Sequence, residues 1–122
     1  MNVVVGSVAV VFLLMGVYAL AAPGRVLAVF GVRVDTVDGR NEVSAVYGGY
    51  GIATSLALVL ALAVPRLRPG ILLATALALL GMASGRVVGA LRERSPGFYP
   101  WLFFALEVVG AAALAAVVEA RP

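Results

Sequence analysis

Apolar residues run along this chain in four long blocks, at residues 3–22, 43–64, 70–91 and 97–118, each 20 or 22 residues long and carrying at most one charge. A helix rises 1.5 Å per residue, so about 20 residues cross a hydrocarbon core of roughly 30 Å. Polar residues collect between the blocks. Pro23-Gly24 stops the first block, and Pro65-Arg66-Leu67-Arg68-Pro69-Gly70 separates the second from the third. Arg92-Glu93-Arg94-Ser95-Pro96-Gly97 separates the third from the fourth. The pattern predicts an all-α fold: an antiparallel bundle of four transmembrane helices at about 3–22, 42–64, 70–91 and 97–118. The apolar run 25–31, introduced by Arg25, is expected to form a short interfacial helix after helix 1.

Local signals set the expected helix ends. Asp38-Gly39 reads as a turn, Asn41 as the N-cap of helix 2, and Glu42 as its first-turn acid. Ser95 reads as the N-cap of helix 4, with Pro96 at its first position. Phe98, Tyr99, Trp101, Phe103 and Phe104 crowd the start of that helix and read as an interfacial aromatic belt. Ala19-Leu20-Ala21 loosely fits a signal-peptide cleavage site. However, the first ten residues hold no Lys or Arg, so helix 1 is expected to be retained.

Composition narrows the picture further. The 122 residues are 63% hydrophobic, with mean hydropathy +1.09, against about 45–50% apolar for soluble domains. One integral membrane domain over 1–122 accounts for the whole length, with no room for a soluble domain beside it. There is no cysteine and no histidine, which removes disulfides, thiolate sites, and the usual haem ligand, metal ligand and proton shuttle. No metal site or cofactor is expected, and no nucleophile–base pair is visible, which speaks against an enzyme. The net charge of +3 is spread over loops rather than clustered, so nucleic acid is not an expected partner.

Topology follows from arginines. Arg66, Arg68 and Arg121 fall on the side of both termini, and Arg25, Arg33, Arg40, Arg92 and Arg94 on the other. The raw count favours the second side as cytoplasmic.

Two features carry candidate function. The first is packing. Gly81, Gly85 and Gly89 form a double G-x-x-x-G in helix 3, extended by Ala74 and Ala78, and helix 2 repeats Ala45, Gly49, Ala53, Ala57 and Ala61. Strips of small residues let helices approach closely in lipid. The short second loop makes helices 2 and 3 neighbours, so the two strips are expected to face each other. The alternative is that one of them holds a second copy or another subunit.

The second feature is charge at membrane depth. Arg86 and Glu107 lie inside helices 3 and 4, and such residues are costly unless partnered. Helix direction places both in the half of the bundle nearer loops 1 and 3, with Asn41, Glu42 and Tyr47. This polar cluster is open to three readings: an intramembrane salt bridge that fixes register, a binding site for a small polar or lipidic ligand, and a proton-coupled role for an unpaired Glu107.

The run Asn41-Glu42-x-x-Ala45-x-Tyr47-Gly48-Gly49, then Gly85-Arg86-x-x-Gly89, then Glu107 resembles a family of bacterial four-helix membrane proteins of unknown function, distantly similar to DoxX-like proteins. The resemblance spans nearly the whole chain. It implies a four-helix fold in the bacterial inner membrane, with both termini cytoplasmic and no established activity. A small multidrug-transporter architecture fits length and helix count, but that family needs a glutamate in helix 1, which here has no charge. The function expected is a non-catalytic accessory or assembly subunit of a larger membrane complex, partnered by the bilayer and by other subunits or a second copy. The alternative is a binder or carrier of a small polar or lipidic ligand at the Arg/Glu cluster.

Overall fold

The computed structural model describes residues 1–93 and 96–120. The expected N-cap Ser95, and the arginines 94 and 121 of the charge count, lie outside them. Four long helices carry the fold: α1 (Asn2–Ala21), α2 (Val37–Ala63), α3 (Arg68–Arg92) and α4 (Phe98–Glu119), each long and apolar enough to span a membrane. Among the described residues there is no strand. A 3₁₀ turn, Ala28–Phe30, follows α1 where the interfacial helix was expected, and Gly31 closes it at φ 76°, a left-handed value that glycine adopts without steric cost.

Helix 2 starts five residues earlier than expected. Thr36 is its N-cap, its hydroxyl accepting from Gly39 N at 2.9 Å, and Asp38 supplies the first-turn acid. Asp38-Gly39 is thus the first turn of a helix rather than a loop turn, and Asn41 and Glu42 lie within the helix instead of capping it. A threonine hydroxyl three residues ahead of an amide without a side chain to crowd it outcompetes the asparagine. Residues Ser44–Gly49 form a π-helical turn inside α2, where the Ser44 hydroxyl donates to Arg40 O at 2.8 Å. At the far end Arg68 reaches back from α3, donating to Ala61 O and Leu62 O at 2.9 and 3.2 Å. It thereby satisfies carbonyls that the end of α2 leaves open. Helix 4 is capped by Gly97, with Pro96 outside it and no side-chain cap. The expected Pro96 start is therefore displaced by two residues.

One core ties all four helices together in the half that holds the α2–α3 connection. Val5, Ala9 and Phe12 of α1 meet Leu58 and Ala61 of α2, Leu72, Ala76 and Leu79 of α3, and Ala111 and Leu114 of α4. Elsewhere the bundle divides into two antiparallel pairs, α1 with α2 and α3 with α4. The expectation that small-residue strips on helices 2 and 3 face each other does not hold. A methyl group placed on Gly81, Gly85 or Gly89 would meet nothing within 4 Å, and on Gly49 only Ser44 O of its own helix. The close approach is between α1 and α2. A methyl on Gly16 would lie 2.8 Å from Gly48 O and Ile52 N, and one on Gly51 2.8 Å from Phe12 O. Ser55 donates across the same seam to Ala9 O at 2.8 Å. The outer faces stay apolar, with Val3, Val11, Leu14, Leu56, Leu73, Leu77 and Val109 among many exposed large side chains. A lipid-facing surface needs no polar cover.

Candidate functional site

The site begins with the pairing of α3 and α4. Arg86 lies six residues before the end of α3 and Glu107 nine after the start of α4, roughly 9 and 14 Å along the two axes. Antiparallel packing brings them level. Arg86 Nε donates to Glu107 Oε1 at 2.8 Å and Nη2 donates to Oε2 at 3.0 Å. This is the parallel two-bond geometry in which a guanidinium matches a carboxylate. The glutamate side chain is 8% exposed and the arginine 27%. Both carboxylate oxygens are therefore bonded within the protein, and no described buried side-chain nitrogen or oxygen lacks a partner.

Two phenylalanines complete the enclosure. The Arg86 guanidinium carbon lies 5.4 Å from the Phe30 ring centre and 5.8 Å from that of Phe103, and the rings themselves are 5.2 Å apart. The cation thus sits against the negative faces of two rings in an environment poor in water, where such contacts are strongest. Phe30 comes from the 3₁₀ turn after α1, so the loop expected to lie along the interface instead turns its last ring onto the α3–α4 pair. Phe103, assigned by sequence to the aromatic belt, faces inward, while Phe98, Tyr99 and Trp101 are exposed as a belt requires.

The rest of the expected cluster does not assemble here. Asn41 and Glu42 are exposed and Tyr47 is half-buried; none makes a side-chain hydrogen bond or ion pair with Arg86 or Glu107. The turn of α2 that holds Tyr47 runs along α1. The residues that sequence reasoning missed are Phe30 and Phe103 at the charge pair and Gly16, Gly48 and Gly51 at the α1–α2 crossing. Nothing in the linear pattern singles out the phenylalanines among five. The glycines were available but lie outside a four-residue repeat.

Beside Arg86, between the end of α3 and the start of α4, is a cavity of about 230 Å³ lined by Arg86, Gly89, Ala90, Pro96, Pro100 and Trp101. Among the described residues no three acidic side chains converge as a metal site would need.

Four apolar spans, one shared core and an enclosed intramembrane ion pair define a multi-pass membrane protein built as two helical hairpins. The chain belongs to the family described as Domain of unknown function (DUF4345), which it matches over residues 1–118. Comparison with curated proteins and with solved structures gave no match.

Proposed function

We infer that this protein is a non-catalytic accessory or assembly subunit of a larger membrane complex, such as a respiratory or envelope complex, and that it docks through the outer face of α3. The observation that supports this reading is the open glycine strip. Gly81, Gly85 and Gly89 are exposed and their Cβ positions are empty to 4 Å, so they serve no packing inside the described fold. In a bilayer a backbone left bare at i, i+4 and i+8 is the surface against which another helix packs closely. Glycine in a helix costs about 1 kcal/mol relative to alanine, so three of them on an unpacked face call for a compensating contact outside the chain. The ion pair, with both carboxylate oxygens of Glu107 already bonded, fits a register lock better than a working acid. On the family resemblance, and against the raw arginine count, the reading takes the host to be the bacterial cytoplasmic membrane with both termini toward the cytoplasm.

Affinity purification from native membranes in a mild detergent tests the reading. The tagged chain is expected to migrate with other subunits, or with a second copy of itself. Gly81→Leu together with Gly85→Leu is expected to release it as a folded monomer. A wild-type chain that migrates alone at every detergent concentration would overturn the reading, as would a double variant that stays assembled.

A further inference from the structure

The salt bridge uses only one edge of the Arg86 guanidinium. Nε and Nη2 are taken by Glu107, whereas Nη1 donates no hydrogen bond among the described residues. Since no buried side-chain nitrogen there is unpartnered, Nη1 is accessible, and Arg86 lines the 230 Å³ cavity. We propose that this cavity binds the phosphate of a membrane phospholipid headgroup, with Arg86 Nη1 as the donor that holds it.

Position, size and wall chemistry all bear on the occupant. The cavity extends from Arg86, roughly 9 Å inside the end of α3, to Pro96 in the loop, so it opens in the headgroup zone where lipid phosphates lie. Its volume is several times a water molecule's share of about 30 Å³ and below the 300–1,000 Å³ usual for a drug-sized ligand. That suits a headgroup whose acyl chains remain in the bilayer. Gly89 and Ala90 leave the α3 wall low, and Trp101 forms the opposing wall with its amphipathic ring at the interface. The site also lies at the start of α4, which no side chain caps, so the positive end of that helix adds to the guanidinium. Glu107 keeps the guanidinium in a fixed plane, so Nη1 is presented without further loss of side-chain freedom. Because Glu107 offsets the arginine's charge, the site is selective for an oxygen acceptor at this place rather than strongly attractive to any anion.

The cavity meets the docking face only at Gly89, and Ala90→Leu fills it without touching Gly81 or Gly85. The intact protein in mild detergent would be titrated with phosphatidylglycerol, phosphatidylethanolamine and diacylglycerol, with bound lipid counted by native mass spectrometry. Both phospholipids are expected to be retained about tenfold over diacylglycerol, as one charge-assisted hydrogen bond allows. Ala90→Leu should remove that preference, as should the paired change Arg86→Gln with Glu107→Gln, which deletes both charges and leaves no ion stranded. Equal retention of diacylglycerol by the wild type overturns the proposal, whatever the variants do. Displacement of the lipid by millimolar inorganic phosphate that binds alone, with the same sensitivity to Ala90→Leu, overturns the lipid as its source.

Discussion

The α1–α2 crossing and the α3–α4 pair lie in the same half of the bundle, and both are antiparallel helix contacts, yet opposite means hold them. At α1–α2, backbone meets backbone: Gly16, Gly48 and Gly51 remove the side chains, and Ser55 adds one hydrogen bond across the seam. At α3–α4 the helices are joined by side chains, with Arg86 and Glu107 at the centre and the rings of Phe30 and Phe103 around them. Here Gly81, Gly85 and Gly89 of α3 point outward, and Gly110 of α4 faces a side-chain tip of Leu79 rather than backbone. Lipid gives helices no hydrophobic reason to associate, so each pair needs a specific device. The comparison teaches that a glycine's role is set by what stands opposite it, which a spacing rule along one helix does not contain.

The sharpest way to break the comparison is to crowd the first seam. Gly51→Leu places atoms into the carbonyl of Phe12, and backbone cannot move aside as a side-chain tip would. A loss of about 3 kcal/mol or more is expected, read as a lowered Tm or loss of the folded species in detergent. Next comes the second pair. Arg86→Ala strands a buried carboxylate, and Glu107→Ala a guanidinium on two rings; each should cost about 2–3 kcal/mol, less than the roughly 3–5 of a fully buried pair because the Arg86 side chain is 27% exposed. The double variant should cost less than the sum, and strict additivity in thermal denaturation would show that the pair is not energetically coupled. Ser55→Ala is a milder probe of the α1–α2 seam, expected to cost about 0.6 kcal/mol. Gly85→Ala should carry no cost, because open space receives the methyl group: the isolated chain should be unchanged or stabilised by up to about 1 kcal/mol. A Gly85→Ala loss comparable to that of Gly16→Ala would erase the distinction between inward and outward glycines.

Much of this architecture was legible before any coordinates. Span number and approximate bounds follow from apolar block length, and helix direction puts Arg86 and Glu107 in one half of the bundle, where the cost of a lone charge in lipid makes a salt bridge one of three readings the sequence leaves open. The N-cap of α2 was misread because Thr36 and Asn41 are both competent caps, and the choice depends on the amide of Gly39 being free to reach the hydroxyl. The α2–α3 strip pairing failed for a different reason. Chain proximity makes neighbours of two helices but does not set which faces meet, and Gly16, a single glycine among large apolar residues, decided the matter from α1. Phe30 was beyond reach because it comes to Arg86 through the path of a loop, for which no periodicity exists.

The Arg86–Glu107 bond also bears on how the chain enters the membrane. Its two partners belong to successive spans joined by a short connection. When α3 has emerged during synthesis and α4 has not, Arg86 stands alone at a cost of about 2.5–3.5 kcal/mol at the membrane centre, less toward the interface. The arrival of Glu107 cancels much of that charge. The third and fourth spans are therefore most stable when they partition into lipid as a unit, the acid in the last helix acting as the licence for the one before it.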